Sequence, residues 1–343
     1  AAVAELVAAG SGDVPHTCID RRLASLWFGY SLRPVGWSLP SPWDPIAGDY
    51  ATADGWIRLH TNAPRHRDAA LAVLGVPANK EDVARVVATW KGAELESTVI
   101  EHGGCAAQMR SVEAWRAHPQ GQSVAAEPLV SHEATVDCEP RPRWLPTPSR
   151  PLQGLRVLDL TRVLAGPVAT RCLAGFGADV LRIDSPTWDE PAVVPDVTLG
   201  KRCARLNLHE TQGRTQLRNL LAQADVLIHG YRADALERLG LDSPTRRAIR
   251  PGLVDVCLNA YGWTGPWRNR RGFDSLVQMS TGIADAGMRK LGKERPTPLP
   301  VQALDHATGY LMAAAAIRGV TQRLTIQRGF QASVSLARTA ELL

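Results

Sequence analysis

The sequence has 343 residues, 45% hydrophobic and 21% charged, with a formal net charge of +5, which suits a globular chain large enough for two domains. Its longest uninterrupted apolar run, 310–317, falls far short of the about 20 residues that span a bilayer, and the basic clusters at 20–22 and 268–271 lack interleaved aromatics, so neither a membrane nor a nucleic acid is an expected partner. Six cysteines without CxxC spacing read as the reduced thiols of a cytoplasmic protein, and the HGGC run at 102–105 has no second ligand pair, so no metal is expected.

The first 15 residues carry Glu5 and Asp13 and no basic run, unlike a signal peptide. DGWIRLHTN (54–62) reads as a strand pair or an edge strand, and 66–76, 80–90, 92–103 and 111–120 read as helices. The stretch 1–137 is therefore expected to form a smaller α+β domain. The proline- and arginine-rich stretch 138–153 disfavours both helix and central strand and reads as an extended linker.

Beyond it the pattern becomes regular. LRVLDLT (155–161) is a short apolar run suited to a strand buried on both faces. A helix follows over 167–176 with Pro167 in its first turn, then a strand at 179–184 (DVLRID). A helix over 209–224, a strand at 225–231, a short helix over 233–240 and a strand at 253–262 complete the series. Strand and helix in alternation predict an α/β fold: an open parallel sheet with crossover helices over 154–343, Rossmann-like but without GxGxxG. No P-loop, GxSxG elbow or HExxH is present either. In such a sheet, ligands bind beyond the carboxyl ends of the strands, which selects the loops 161–167, 184–190, 229–240 and 260–266.

RVLDLTRVLAGP (156–167), GFGADVLRID (175–184), LGKRCARLNL (199–208), ADVLIHGYRADALERLGL (224–241), YGWTGPWRNRRGFDSLVQMSTGI (261–283) and PLPVQALDHATGYLMAAAAI (298–317) follow one another in a spacing that resembles the class III CoA-transferases, the CaiB/BaiF family. A fainter likeness to that family's small domain runs from 50 to 130, ahead of the large domain rather than after it.

The resemblance implies an enzyme that exchanges CoA between an acyl-CoA and a carboxylic acid through aspartyl anhydride and thioester intermediates, working as a homodimer with coenzyme A as the substrate carrier. It implies Asp305 as the nucleophile and Asp274 as an acid near the active site. Arg162, Val163, Leu164 and Ala165 match the loop along the pantetheine and adenine. Lys201, Arg238 and Arg271 match basic positions near the phosphates, and Tyr231 matches an aromatic that stacks on adenine. The same residues have ordinary alternatives: an N-cap for Asp305, solvated surface charges for the cations and a core position for Tyr231. The family's racemases carry His where this chain has Phe273, which disfavours acyl-CoA racemisation or isomerisation. A non-catalytic CoA-binding protein is the other alternative.

Overall fold

A computed structural model describes residues 1–137, 144–231 and 234–342. Residues 138–143 of the expected linker and 232–233 of the 229–240 loop lie outside them. The chain divides into two compact units, one formed by 1–36, 128–259 and 304–335 and the other by 37–127, 260–303 and 336–343. The stretches expected as consecutive domains thus each contribute to both units. Among the described residues no helix is long and apolar enough to cross a membrane, and no group of three His, Cys, Asp or Glu side chains is disposed to hold a metal ion.

The smaller unit is built on an antiparallel sheet of β1 (Gly48–Thr52), β2 (Gly55–Leu59) and β3 (Ala106–Gln108). Ile57 and Leu59, two residues apart on one face of β2, pack with Leu95 and Val99 of the helix Gly92–Glu101. Its buried Glu96 accepts hydrogen bonds from Arg110 and Arg270, so the carboxylate is compensated twice. A second apolar cluster joins Cys105 and Ala107 to Leu276 and Met279 of the helix Asp274–Ser280.

Two histidines of this unit are buried at the end of that helix. His60 stacks on Phe273 with ring centroids 3.7 Å apart, and His66 meets the same ring edge-on at 6.0 Å. Burial, reinforced by Arg58 beside His60 and by Arg65 and Arg271 beside His66, pushes their pKa values down to about 3 and about 4. The folded state therefore binds fewer protons than the unfolded chain once the pH drops below about 6.5, the free imidazole value. The stabilisation is complete above that pH and is lost progressively as the pH falls from about 6.5 to about 4 for His66 and to about 3 for His60. The melting temperature is expected to fall from pH 7 to pH 4.5 and to fall less steeply in a His66→Gln variant; parallel pH profiles would remove His66 from this account.

The larger unit carries the seven-stranded sheet. Its strands are β4 (Ser131–Asp137), β5 (Arg156–Leu160), β6 (Asp179–Asp184), β7 (Lys201–Arg205), β8 (Val226–His229), β9 (Val254–Asn259) and β10 (Arg328–Ser335), in the order β4-β10-β9-β8-β5-β6-β7. All neighbours pair in parallel except β4, which lies antiparallel at the edge beside β10. β5 and β8 are buried along nearly their whole length, as expected where helices cover both faces. Met312, Ala316 and Val320 of the long helix Ala303–Ile326 pack with Val157, Val226 and Val256 in one core, joined by Ala2 and Leu6 of the first helix, Ala2–Ser11.

Candidate functional site

The strand order reverses between β5 and β8: the chain runs from β5 outward to β6 and β7, then returns to β8 on the other side of β5. Loops leaving the carboxyl ends of such a pair diverge and open a crevice. Arg162 projects from the loop after β5 and Tyr231 follows β8; the Arg162 guanidinium carbon is 5.6 Å from the Tyr231 ring centre and 4.6 Å from that of Trp188. Burial pushes the Tyr231 phenol pKa up, against the opposing pull of Arg162.

Val163 holds φ 65°, a left-handed conformation that is strained for a β-branched side chain. Its N–H donates to Glu190 Oε1 at 2.9 Å, and Arg182 Nη2 donates to Glu190 Oε2 at 3.0 Å. Arg182, 0% exposed in the middle of β6, thus fixes the loop through Glu190. Beyond the ends of β6 and β7 lies a cavity of about 160 Å³ lined by Arg182, Asp184, Trp188, Glu190, Cys203 and Arg205 among others. Two buried donors that line it, Arg182 Nη1 and Trp188 Nε1, and Arg162 Nε next to Trp188 have no hydrogen-bond partner among the described residues. Such groups are costly unless a ligand or water meets them, and they suit an acceptor-rich guest.

Asp305 lies in the first turn of the helix Ala303–Ile326 and is 7% exposed. Gly309, one turn further along the same helical face, presses on the loop: a Cβ there would lie 2.5 Å from the Ala165 carbonyl oxygen and 3.0 Å from Val168 Cβ. Gly166 is equally close-packed, since a Cβ would meet Thr161 Cγ2 at 2.3 Å. Gly309 therefore brings the helix that bears Asp305 against the 162–165 loop, where Leu164 and Ala165 are buried, while Gly166 packs that loop on its own Thr161. Gly309→Ala is expected to destabilise the protein by about 1–3 kcal/mol through overpacking. If the expected Asp305 chemistry holds, it should also slow turnover of an acyl-CoA by up to about 100-fold by displacing the carboxylate. Thermal melts alongside initial rates check both, and an unchanged rate would detach Gly309 from the site.

Lys201 does not face solvent: its side chain is 0% exposed. Nζ donates to Asp159 Oδ2 at 3.1 Å, the Pro167 carbonyl at 3.0 Å and Thr170 Oγ1 at 2.6 Å. Burial pushes its pKa down, while Asp159 pulls the other way. Asp159 also accepts from Thr161 N–H at 2.9 Å and from Thr170 Oγ1 at 2.6 Å. The ammonium supports the first turn of the helix Ala165–Gly175 from inside, and any contribution to ligand binding passes through that loop.

Arg162, Val163, Leu164, Ala165, Lys201, Tyr231, Arg238 and Asp305 all belong to the larger unit, whereas Asp274 and Arg271 belong to the smaller one. Arg238 is exposed and paired with Asp234 on its own short helix. In the smaller unit, Asp274 Oδ1 accepts from Gln278 Nε2 at 2.6 Å, while Gln278 Oε1 accepts from Leu299 N–H at 2.8 Å. Arg271 Nη1 donates to the Gly103 carbonyl at 3.2 Å. Trp188 and Glu190 lie in the 184–190 loop that the strand order selects, whereas Arg182 does not; a lone arginine inside the apolar run DVLRID is the available signal for it, because a buried guanidinium requires partners.

The chain is similar to several known proteins. The model of CoA-transferase family III matches residues 152–343. The chain is 29% identical over 314 residues to an acetyl-coenzyme A transferase, nodX, of Hypoxylon pulicicidum, covering 85% of this chain and 53% of that protein. It is 31% identical over 195 residues to the human succinyl-CoA:glutarate CoA-transferase, covering 52% of this chain and 44% of that protein. Among solved structures, Rv3272 of Mycobacterium tuberculosis is similar at 30% identity with a TM-score of 0.51, covering 57% of this chain and 56% of that one. A CAIB/BAIF family protein from Brucella suis is similar at 28% identity with a TM-score of 0.50, covering 57% and 55%. The chain spans about half the length of the curated relatives it matches.

Proposed function

We propose that this chain, which belongs to CoA-transferase family III, moves coenzyme A from an acyl-CoA to a carboxylic acid, with Asp305 as the nucleophile. The observation that carries the reading is a buried carboxylate on the helical face that Gly309 seats against the 162–165 loop, at the end of the sheet where strand order reverses. In this reading the nucleotide end of CoA lies over the crevice. Its phosphates and ribose supply the acceptors that Arg182 Nη1, Trp188 Nε1 and Arg162 Nε lack. Arg238 serves as a further cation toward the phosphates, and Tyr231 as a stacking partner for adenine.

The chemistry balances without an added proton or electron. An Asp305 oxygen attacks the thioester carbonyl, the C–S bond breaks, and a mixed anhydride and CoA thiolate result. The thiolate attacks the aspartyl carbonyl, releasing the donor acid and leaving an aspartyl-CoA thioester. The acceptor carboxylate then repeats the exchange in reverse, and Asp305 regains its carboxylate. Each intermediate is as activated as the thioester it replaces, so no step spends the energy of the acyl bond.

The test is intact-protein mass spectrometry after mixing the chain with a panel of CoA thioesters. An acyl or CoA mass increase that hydroxylamine removes is expected, localised to Asp305 by peptide mapping. CoA binding by calorimetry with no adduct from any thioester would leave a binding protein and refute the nucleophile.

A further inference from the structure

Residues 12–36 form an arm of the larger unit with a single short helix, Arg21–Leu26, and many exposed side chains. They lie outside the stretch that matches the family. From Trp27 to Leu32, however, this arm is fastened to a built niche. Asp196, 2% exposed, accepts at Oδ1 from Ser31 N–H at 3.0 Å, Ser31 Oγ at 2.9 Å and Leu32 N–H at 3.2 Å. Its Oδ2 accepts from Arg171 Nη1 at 2.8 Å, and the Arg171 guanidinium lies over the Trp27 ring at 5.6 Å. Tyr310 Oη donates to the Trp27 carbonyl at 3.0 Å. A buried carboxylate costs several kcal/mol unless its lone pairs are met, and three of these donors come from the arm. The niche is complete only with the arm in place.

The strap also reaches the helix of the nucleophile. Phe28 packs on His306 and Tyr310, with ring centroids 5.7 and 6.0 Å away, and His306 directly follows Asp305. Tyr310 packs in turn against the cluster of Leu164, Val168 and Val197. His306 Nδ1 is buried with no partner among the described residues, so the imidazole serves Phe28 as a flat, largely apolar wall. Nothing in the CoA exchange requires an aromatic anchor there. The reactivity of the intermediates does: water attacks an aspartyl anhydride to give two carboxylic acids, and an aspartyl thioester to give the acid and CoA thiol. Keeping water from such carbonyls is what closing a site accomplishes.

Resting on the transferase reading, we propose that the Trp27–Leu32 strap is a water-excluding wall beside Asp305. Phe28 is then a specificity-determining residue that sets how the Asp305-bound group divides between an acid acceptor and water. The experiment measures CoA release from an acyl-CoA without acceptor, and acyl-CoA exchange with a carboxylic acid present, in wild type, Phe28→Ala, Phe28→Leu and Asp196→Asn. The expected result is a hydrolysis-to-transfer ratio raised at least tenfold, about 1.4 kcal/mol, in Phe28→Ala and Asp196→Asn, and largely restored in Phe28→Leu. A ratio unchanged in both, or hydrolysis and transfer falling together in both, would overturn the strap's role while a wild-type Asp305 adduct still stood. A wild type that forms no adduct would overturn the transferase reading itself.

Discussion

Asp305→Asn is expected to lower the rate of CoA transfer by at least about 10³-fold while leaving CoA affinity nearly unchanged. The amide matches the carboxylate in size, so the contacts between Gly309 and the 162–165 loop persist. It lacks the nucleophilic oxygen pair, so neither anhydride nor thioester can form. A fall of that size in kcat with an intact calorimetric Kd marks a group used in bond making rather than in binding. Asp305→Ala should behave in the same way, and its extra loss of packing serves as a control for folding. A tenfold weaker Kd for CoA in the Asn variant, with kcat reduced no more than in proportion, would instead make Asp305 a binding or capping residue. The helical first turn favours that role for Asp on propensity alone.

Much of this fold is legible in the residues because the larger unit follows a simple burial rule. RVLDL and VLIH are buried nearly throughout, and an apolar run of that length bounded by turns has few other uses. The weakest signals came from edges. KRCAR becomes β7 with its last four residues exposed, so neither a continuous apolar run nor strict alternation marks it. SHEATVD and RGFQASVS pair only through a contact between residues nearly 200 positions apart, Glu133 with Gln331 for example, and no local window contains that information. The interleaved units have the same origin: strands before and after the proline-rich stretch share one sheet.

The site divides along similar lines. The assignment of Asp305 and the 162–165 loop to the proposed site comes from the family resemblance. The support beneath them is tertiary: Arg182 acting through Glu190 on Val163, and the strap fastened by Asp196. Lys201 is the instructive residue, because a lysine near the end of a strand is usually solvated and this one is enclosed.

Its enclosure leads to the largest expected effect on stability. Lys201→Met removes the only cation within hydrogen-bond reach of Asp159 among the described residues and leaves a fully buried carboxylate held by hydrogen bonds from Thr161 and Thr170. Breaking a buried pair from one side costs about 3–5 kcal/mol, because the remaining charge is uncompensated. For a protein of this size that lowers the melting temperature by about 10 °C. Adding Asp159→Asn removes the stranded charge while the side-chain carbonyl still accepts from Thr161 and Thr170, so the double variant is expected to recover most of the loss. The same pair of variants separates two roles for the ammonium. Acting from inside the loop, Lys201 should leave the salt dependence of CoA binding unchanged when the double variant is compared with wild type at low temperature. If CoA affinity falls tenfold in the double variant and its salt dependence flattens, the ammonium meets a phosphate directly. The loop must then open to let it out, and the internal hydrogen bonds of Lys201 belong to the unliganded state.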